Sequence, residues 1–176
     1  MALEVRPAQE SDAPALAELA AATFGLACPP GTTQAAIDDF IAANLNLTSF
    51  VGYLAAPNRA LFLALVDGDP AGYTMVIFGE PTDPDVVAAV SLHPSSELSK
   101  VYVLADRHGS GVAARLVDAS VAAAQDRGAA GIWLGVNQQN ARANRFYEKH
   151  GFALVGTKKF LVGGRWEDDF VRERQL

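Results

Sequence analysis

The run Leu98-Ser99-Lys100-Val101-Tyr102-Val103-Leu104 leads through Asp106-Arg107-His108-Gly109-Ser110-Gly111-Val112-Ala113-Ala114 into the segment Arg115 to Arg127, and the rest of the chain is arranged around it. Its first part is rich in β-formers, as a strand requires. Its last part carries Leu116, Val117, Val121 and Ala124 at helical spacing, with Arg115, Asp118 and Gln125 on the other face and Gly128 as the stop. A strand therefore feeds a small-residue turn whose backbone amides open a helix. The first N–H groups of a helix have no intrahelical partner, and the helix dipole adds partial positive charge there, so the turn attracts anions. A pyrophosphate is the expected occupant.

Downstream, Ile132 to Val136 is an apolar strand, and strand, crossover helix, strand implies a parallel neighbour. Asn140 to His150 reads as a short helix ended by Gly151. Phe152 to Val162, Gly163-Gly164 and Arg165 to Arg172 read as a closing hairpin. Upstream, Leu3 to Arg6 is a short strand, and Ser11 or Asp12 is the expected cap of a helix burying Leu16, Leu19, Ala20 and Phe24. Cys28-Pro29-Pro30-Gly31 breaks that helix. Thr33 starts another, with Ile37, Phe40, Ile41 and Leu45 on one face, and Thr48 is the expected cap of a third piece. Leu61 to Val66 and Ala71 to Phe78 flank a turn at Asp67-Gly68-Asp69-Pro70 and form a hairpin, and residues 79 to 96 read as an insertion with a short helix begun at Pro84. The order β, helices, ββ, βαβ, α, ββ gives an α/β domain with a mixed sheet.

A chain of 176 residues suits one domain with a real core, so residues 1–176 are read as a single domain. No run approaches the roughly 18 apolar residues of a membrane span. Glu4, Glu10 and Asp12 stand where a signal peptide needs basic residues, so a cytoplasmic protein without membrane attachment is expected. Cys28 is the only cysteine, which excludes an internal disulfide and a cysteine-based metal cluster. Residues 1 to 99 hold two basic and 12 acidic side chains, a balance of −10, whereas residues 100 to 176 hold 12 basic and eight acidic ones, a balance of +4. The second half then suits an anionic ligand and the first half a cationic one, although solubility alone accounts for the split as well. The net charge of −6 and the lack of a basic patch argue against nucleic acid.

The glycine turn has two frames. Gly109-x-Gly111-x-x-Ala114 fits the loose dinucleotide pattern, which needs an acid about 20 residues on, at the end of the next strand. That strand ends in Gly135-Val136-Asn137 and carries no acid. The other frame is His108-x-x-Gly111-x-Ala113, and it resembles motif A of the GNAT superfamily of acyl-CoA-dependent N-acetyltransferases, whose pattern is Gln or Arg, two residues, Gly, one residue, Gly or Ala. Trp133 to Asn137, Asn140-x-x-Ala143 and Phe146-Tyr147-x-x-x-Gly151-Phe152 resemble the strand and helix of motif B. The resemblance spans residues 3 to 173, because the family's element order is the same. The strand and turn together with Trp133-Leu134-Gly135-Val136 are similar to the branch of bacterial spermidine and polyamine acetyltransferases. One departure stands out. His108 replaces the usual Gln or Arg, removing a permanent charge that Arg107 beside it partly restores.

The resemblance implies a single GNAT-like domain, a mostly antiparallel mixed sheet with a splayed parallel pair at its centre and helices on both faces. It implies acetyl-CoA as co-substrate, its pyrophosphate on His108, Gly109, Ser110, Gly111, Val112, Ala113 and Ala114, and its pantetheine along the backbone of Val101, Tyr102 and Val103. An unpaired amide at Val103 would then stabilise the oxyanion. Asn140 and Asn144 are expected to cap the next helix or contact the cofactor, with Asn137 at the strand end beside them. Tyr147 matches the family's general acid; a phenol near pKa 10 and a thiol near about 8.5 exchange a proton close to balance. Glu97 is the first candidate for deprotonating the amine, with a strand-end surface acid as the plain alternative, and His93 is a looser candidate. The implied reaction is acetyl transfer to a small primary amine, such as a polyamine, by direct attack in a ternary complex. Protein N-terminal or lysine acetylation, and a CoA-binding domain without catalysis, are the alternatives. A homodimer is common in the family.

Overall fold

Local capping chemistry sets most of the element boundaries in the computed structural model, which describes all of residues 1–176. Strand β1 (Leu3–Pro7) leads through a 3₁₀ turn into α1 (Ala13–Ala27), followed by α2 (Gln34–Asn44) and α3 (Leu47–Ala55). The hairpin β2 (Arg59–Val66) and β3 (Asp69–Phe78) precedes α4 (Pro84–Ala89), β4 (Ser95–Val103), α5 (Val112–Asp126), β5 (Gly131–Asn137), α6 (Ala141–Lys149), β6 (Ala153–Val162) and β7 (Arg165–Gln175). Thr33 caps α2 by accepting from the Ala36 N–H at 3.1 Å. Asn46, rather than Thr48, caps α3 by accepting from Ser49 at 2.8 Å. Neither Ser11 nor Asp12 caps α1 through its side chain. The Asp12 carboxylate instead takes the Gln9 N–H and both guanidinium arms of Arg6, which tie β1 to the helix entry and hold its pKa below the usual carboxylate range.

The seven strands lie in the order β1-β2-β3-β4-β5-β7-β6, and only β4 and β5 run parallel. Helices α1 and α3 bury Leu16, Leu19, Phe24 and Phe50 against Leu61, Leu63, Tyr73 and Met75 on one face. Helix α5 buries Leu116, Val117 and Val121 on the opposite face, against Val76, Leu98, Ile132, Leu134 and Val103. Burying each such side chain is worth about 1.5–3 kcal/mol. A buried hydrogen bond from Ser120 Oγ to Thr74 Oγ1 at 2.8 Å adds a polar pin between α5 and β3. The α5 helix is thereby fixed beneath the glycine turn that precedes it.

Two boundaries differ from the sequence reading, and both matter at the centre of the sheet. Strand β4 begins at Ser95 because Ser96 and Glu97 pair with Phe78 and Ile77 of β3 while Ser95 to Glu97 also pair with Gly131 to Trp133 of β5. Helix α5 begins at Val112, so Val112, Ala113 and Ala114 form its first turn and are no part of the preceding loop. Ser99 has no partner on β3, since Met75 faces Lys100 and Val76 faces Leu98. That bulge turns the strand, and β4 and β5 part company beyond Glu97.

Candidate active site

Beyond the last parallel rung, Glu97 opposite Trp133, the inner edge of β4 has no strand partner. Antiparallel pairing to β3 uses alternate residues, and the Leu104 N–H already donates to Ala71 at 2.9 Å. Tyr102 and Lys100 therefore spend their backbone groups on β3, while the N–H groups of Val101 and Val103 face the gap. This is the position the sequence reading assigns to the pantetheine and to the oxyanion donor at Val103.

At the outer end of the gap the chain makes a 3₁₀ turn at Ala105–Arg107 and reaches α5 through Gly109 and Gly111, whose φ values of +78° and +87° favour glycine. Gly111 is the N-cap and offers no side chain, so no cap occupies the first turn of α5. The backbone N–H groups of Gly109, Gly111, Val112, Ala113 and Ala114 have no protein acceptor, whereas those of His108 and Ser110 donate within the turn to Ala105 and Arg107. Five converging free donors at the head of a 15-residue helix form an anion seat. It opens into a cleft of about 490 Å³ lined also by Arg107, Arg142, Lys149 and Tyr147.

His108 plays a different part from the one its position suggests. Its Nε2 lies 2.9 Å from the Val103 carbonyl oxygen. A carbonyl only accepts, so the imidazole carries its proton on Nε2 and donates it. The ring thus ties the glycine turn to the end of β4.

A second cavity, of about 260 Å³, lies on the other side of the splay, and Val101, Val103, His108, Arg142, Ala143 and Tyr147 line both. The two clefts meet there. Tyr147 is 8% exposed, packs edge-on against Phe146 and Phe152, and its hydroxyl bonds to no protein group. Burial pushes its phenol well above the ordinary tyrosine value, with Arg142 pulling slightly the other way. Proton donation to a thiolate is then less balanced than free-solution values imply. The sulfur leaves into the same dry cavity, however, and desolvation raises a thiol as it raises a phenol.

Helix α6 holds Tyr147 through a buried network. Arg172 Nε donates to Asn144 Oδ1 at 2.9 Å and Arg172 also donates to the Phe152 carbonyl at 3.0 Å. Asn144 Nδ2 in turn donates to the carbonyls of Asn137 and Asn140. The side-chain oxygen of Asn140 caps α6 at Ala143, and that of Asn137 accepts from Gln139. Both asparagines line the second cavity and keep their Nδ2 donors free of protein partners.

The second cavity corrects the sequence picture of the acceptor side. Its helical wall, from Thr23 to Pro29 and at Phe40 and Leu45, carries no charge, and Glu97 is the one acid it takes from the acidic first half. The other two, Glu167 and Asp169, come from β7, and Lys158 from β6. Burial raises the Glu97 carboxyl while Lys158, Lys100 and Arg59 draw it back. Burial raises Asp169 to about 6, partly opposed by Lys158. Lys158 Nζ stands 3.8 Å from Asp169 Oδ2, and both side chains fold over Gly135, where a Cβ would lie 3.3 Å from Lys158 and 3.4 Å from Asp169. His93 is outside the cavity, exposed and bonded to Glu80 at 2.7 Å. Cys28, with its thiol pushed up by burial, lines the cavity mouth beside α1.

Sequence reasoning missed Asp169, Lys158 and Glu167. The signal was the alternation in Glu167-Asp168-Asp169 and Lys158-Lys159, which sends one Lys–Asp pair inward and the pair Lys159–Asp168 outward. Which face looks into a cavity is set only by the packing of the hairpin on α2 and α4. No cluster of three or more His, Cys, Asp or Glu side chains is placed to hold a metal ion, and no helix is long and apolar enough to cross a membrane.

A splayed parallel pair, a capless helix head at its mouth and a buried tyrosine between two clefts define an acyltransferase-type centre. Residues 17–152 match the model of the Acetyltransferase (GNAT) family, and the chain belongs to that family. Uncharacterized N-acetyltransferases of Mycobacterium bovis and Mycobacterium tuberculosis are 46% identical over 166 residues, covering 94% of this chain and 99% of theirs. The PaiA N-acetyltransferase from Thermoplasma acidophilum in complex with coenzyme A superposes with a TM-score of 0.80 at 17% identity, over 100% of both chains. The ribosomal-protein-alanine N-acetyltransferase from Brucella melitensis superposes with a TM-score of 0.72 at 23% identity, over 98% of this chain and 99% of that one.

Proposed function

We propose that the protein transfers the acetyl group of acetyl-CoA to a primary amine by direct attack in a ternary complex. The observation that carries this reading is the meeting of two unlike clefts at the splay. One offers free backbone amides and cations suited to a pyrophosphate and a 3′-phosphate. The other offers the buried carboxylate of Asp169 and the half-buried one of Glu97, suited to an ammonium. The coenzyme A held by the Thermoplasma structure supports the choice of cofactor.

In this mechanism the free amides of α5 seat the pyrophosphate, and the thioester reaches the gap between β4 and β5. The amine loses a proton to a cavity carboxylate, Glu97 or Asp169, because an ammonium near pKa 10.4 has no lone pair at neutral pH. The neutral nitrogen attacks the thioester carbon, the Val103 N–H receives the developing oxyanion, and the C–S bond breaks as Tyr147 protonates sulfur. The second nitrogen proton restores Tyr147, so the ammonium gives up two protons and CoA leaves as its thiol.

Incubation with acetyl-CoA and single amines, read by thiol release and by the mass of an acetylated product, tests this reading. Release that never exceeds background with any amine, despite CoA binding, would replace it with a CoA-binding domain without catalysis. A polyamine acceptor has its support in the strand and turn around His108. A protein N-terminus has its support in the likeness to the Brucella enzyme.

A further inference from the structure

The acceptor cavity is two-sided. Along one side runs an aromatic series: Tyr102 lies 6.5 Å from Phe24, Phe24 stacks on Phe40 at 4.4 Å and 4°, and Phe40 meets Phe160 at 5.6 Å. Leu26 and Val162 extend this wall. Apart from Arg142 of α6, where the two clefts meet, the charges lie on the strand side, and they are mixed. Lys158 and Lys100 share the cavity with Glu97, Glu167 and Asp169, and the Lys158 ammonium already sits 5.4 Å from the centre of the Phe160 ring.

The carboxylates are not equivalent. Glu97 stands on the last paired rung of β4, with Lys158, Lys100 and Arg59 as its charged neighbours. Asp169 is 7% exposed, and its neighbours are Lys158 of β6, Glu167 and Asp168 of β7, and the Tyr102 phenol, which also feels Tyr147 where the clefts meet. No protein donor lies within hydrogen-bond distance of Asp169, since Lys158 stays 3.8 Å away. A buried carboxylate held this loosely favours a cation that completes its shell.

The geometry points to an acceptor that carries a single ammonium on an apolar, ring-bearing body, with its nitrogen at Asp169 and its ring along Phe24, Phe40 and Phe160. This rests on the acetyltransferase reading above and narrows its substrate. A polyamine fits poorly because its second ammonium would lie either on the aromatic wall, whose Phe160 face is taken by Lys158, or at carboxylates that already have cations, Glu97 beside Lys158, Lys100 and Arg59 and Glu167 beside Arg165 at 3.8 Å. Asp169 takes the first proton of the ammonium and releases it to water. The second proton follows the route through Tyr147 already described, so the balance is unchanged.

The test measures kcat/KM for thiol release from acetyl-CoA with phenethylamine, butylamine, spermidine and an alanine-initiated peptide. Phenethylamine is expected to exceed butylamine and spermidine by about tenfold or more, the discrimination an apolar pocket supplies. Phe40→Ala should erase most of the gap between phenethylamine and butylamine, with Phe160→Leu as a milder second variant. Asp169→Asn should lower kcat for both amines by more than Glu97→Gln does. Preference for spermidine or the peptide, or a Phe40→Ala loss equal for the two monoamines, overturns the inference while leaving an acetyltransferase. Background release with all four amines defeats the acetyltransferase reading and this inference with it.

Discussion

The His108 imidazole donates from Nε2 to the Val103 carbonyl at 2.9 Å, joining the glycine turn at the head of α5 to the strand that lines the gap. Two parts of the site that are distant in chemistry are thereby one rigid piece. His108→Ala should lower stability by about 1 kcal/mol, the net worth of one such hydrogen bond, while changing CoA affinity less than about threefold. Thermal melts and calorimetric titration check this. A large loss of CoA affinity with an unchanged melt would make the ring a phosphate ligand instead.

The first turn of α5 offers a test with opposite signs. Ala113→Asp places a carboxylate at the positive end of the helix, which should stabilise the unliganded protein by about 0.5 kcal/mol. The same charge occupies the anion seat and should weaken CoA binding by about tenfold or more. Loss of stability, or undiminished binding, would place the pyrophosphate elsewhere.

Asp169 sets a pH dependence of known direction. Burial raises its folded pKa to about 6, above the ordinary aspartate value of 3.8, so between those values the folded state binds the proton more tightly than the unfolded state. The contribution of Asp169 to stability therefore grows as pH falls through about 6 and diminishes as pH rises through it. The melting-temperature difference between wild type and Asp169→Asn should move in favour of the wild type from pH 7 to pH 4. A difference independent of pH would mean that the carboxyl is not desolvated.

Arg172 acts at one remove from the reaction, through Asn144 and α6. Arg172→Met keeps length and removes both donations, leaving Asn144 Oδ1 and the Phe152 carbonyl unpaired in the interior. Stability should fall by about 2–4 kcal/mol, measured by denaturant unfolding. Because α6 carries Tyr147, kcat should fall while KM for acetyl-CoA holds. Equal changes in both would reduce Arg172 to a purely structural role.

The central βαβ unit was legible because its chemistry is local. The turn at Gly109 and Gly111 announces positive φ, the spacing of Leu116, Val117 and Val121 announces a buried face, and Asn140 and Thr33 cap as their positions imply. Asn46 takes the cap in place of Thr48 because asparagine is the stronger N-cap and its Oδ1 reaches the Ser49 N–H at 2.8 Å. The acceptor cavity was the part that stayed hidden. The charge balance points to acids from the acidic first half, but the helices there turn apolar side chains inward, and Lys158, Glu167 and Asp169 arrive from a hairpin remote in sequence. Side-chain alternation identifies two faces of a strand, and only tertiary packing says which one borders a cavity. Similarly, His108 was legible as a departure from the family pattern, while its partner Val103 required the fold.

Tyr147, held without a protein partner where the two clefts meet, is the proposed donor of the proton to the departing thiolate. Tyr147→Phe changes one oxygen and leaves the packing against Phe146 and Phe152 in place. The measurement is kcat for thiol release from acetyl-CoA with the best amine of the panel, paired with the Kd of CoA for each protein. A fall in kcat of about 100-fold or more with Kd unchanged is expected, the usual scale of general-acid catalysis. An unchanged kcat would contradict it.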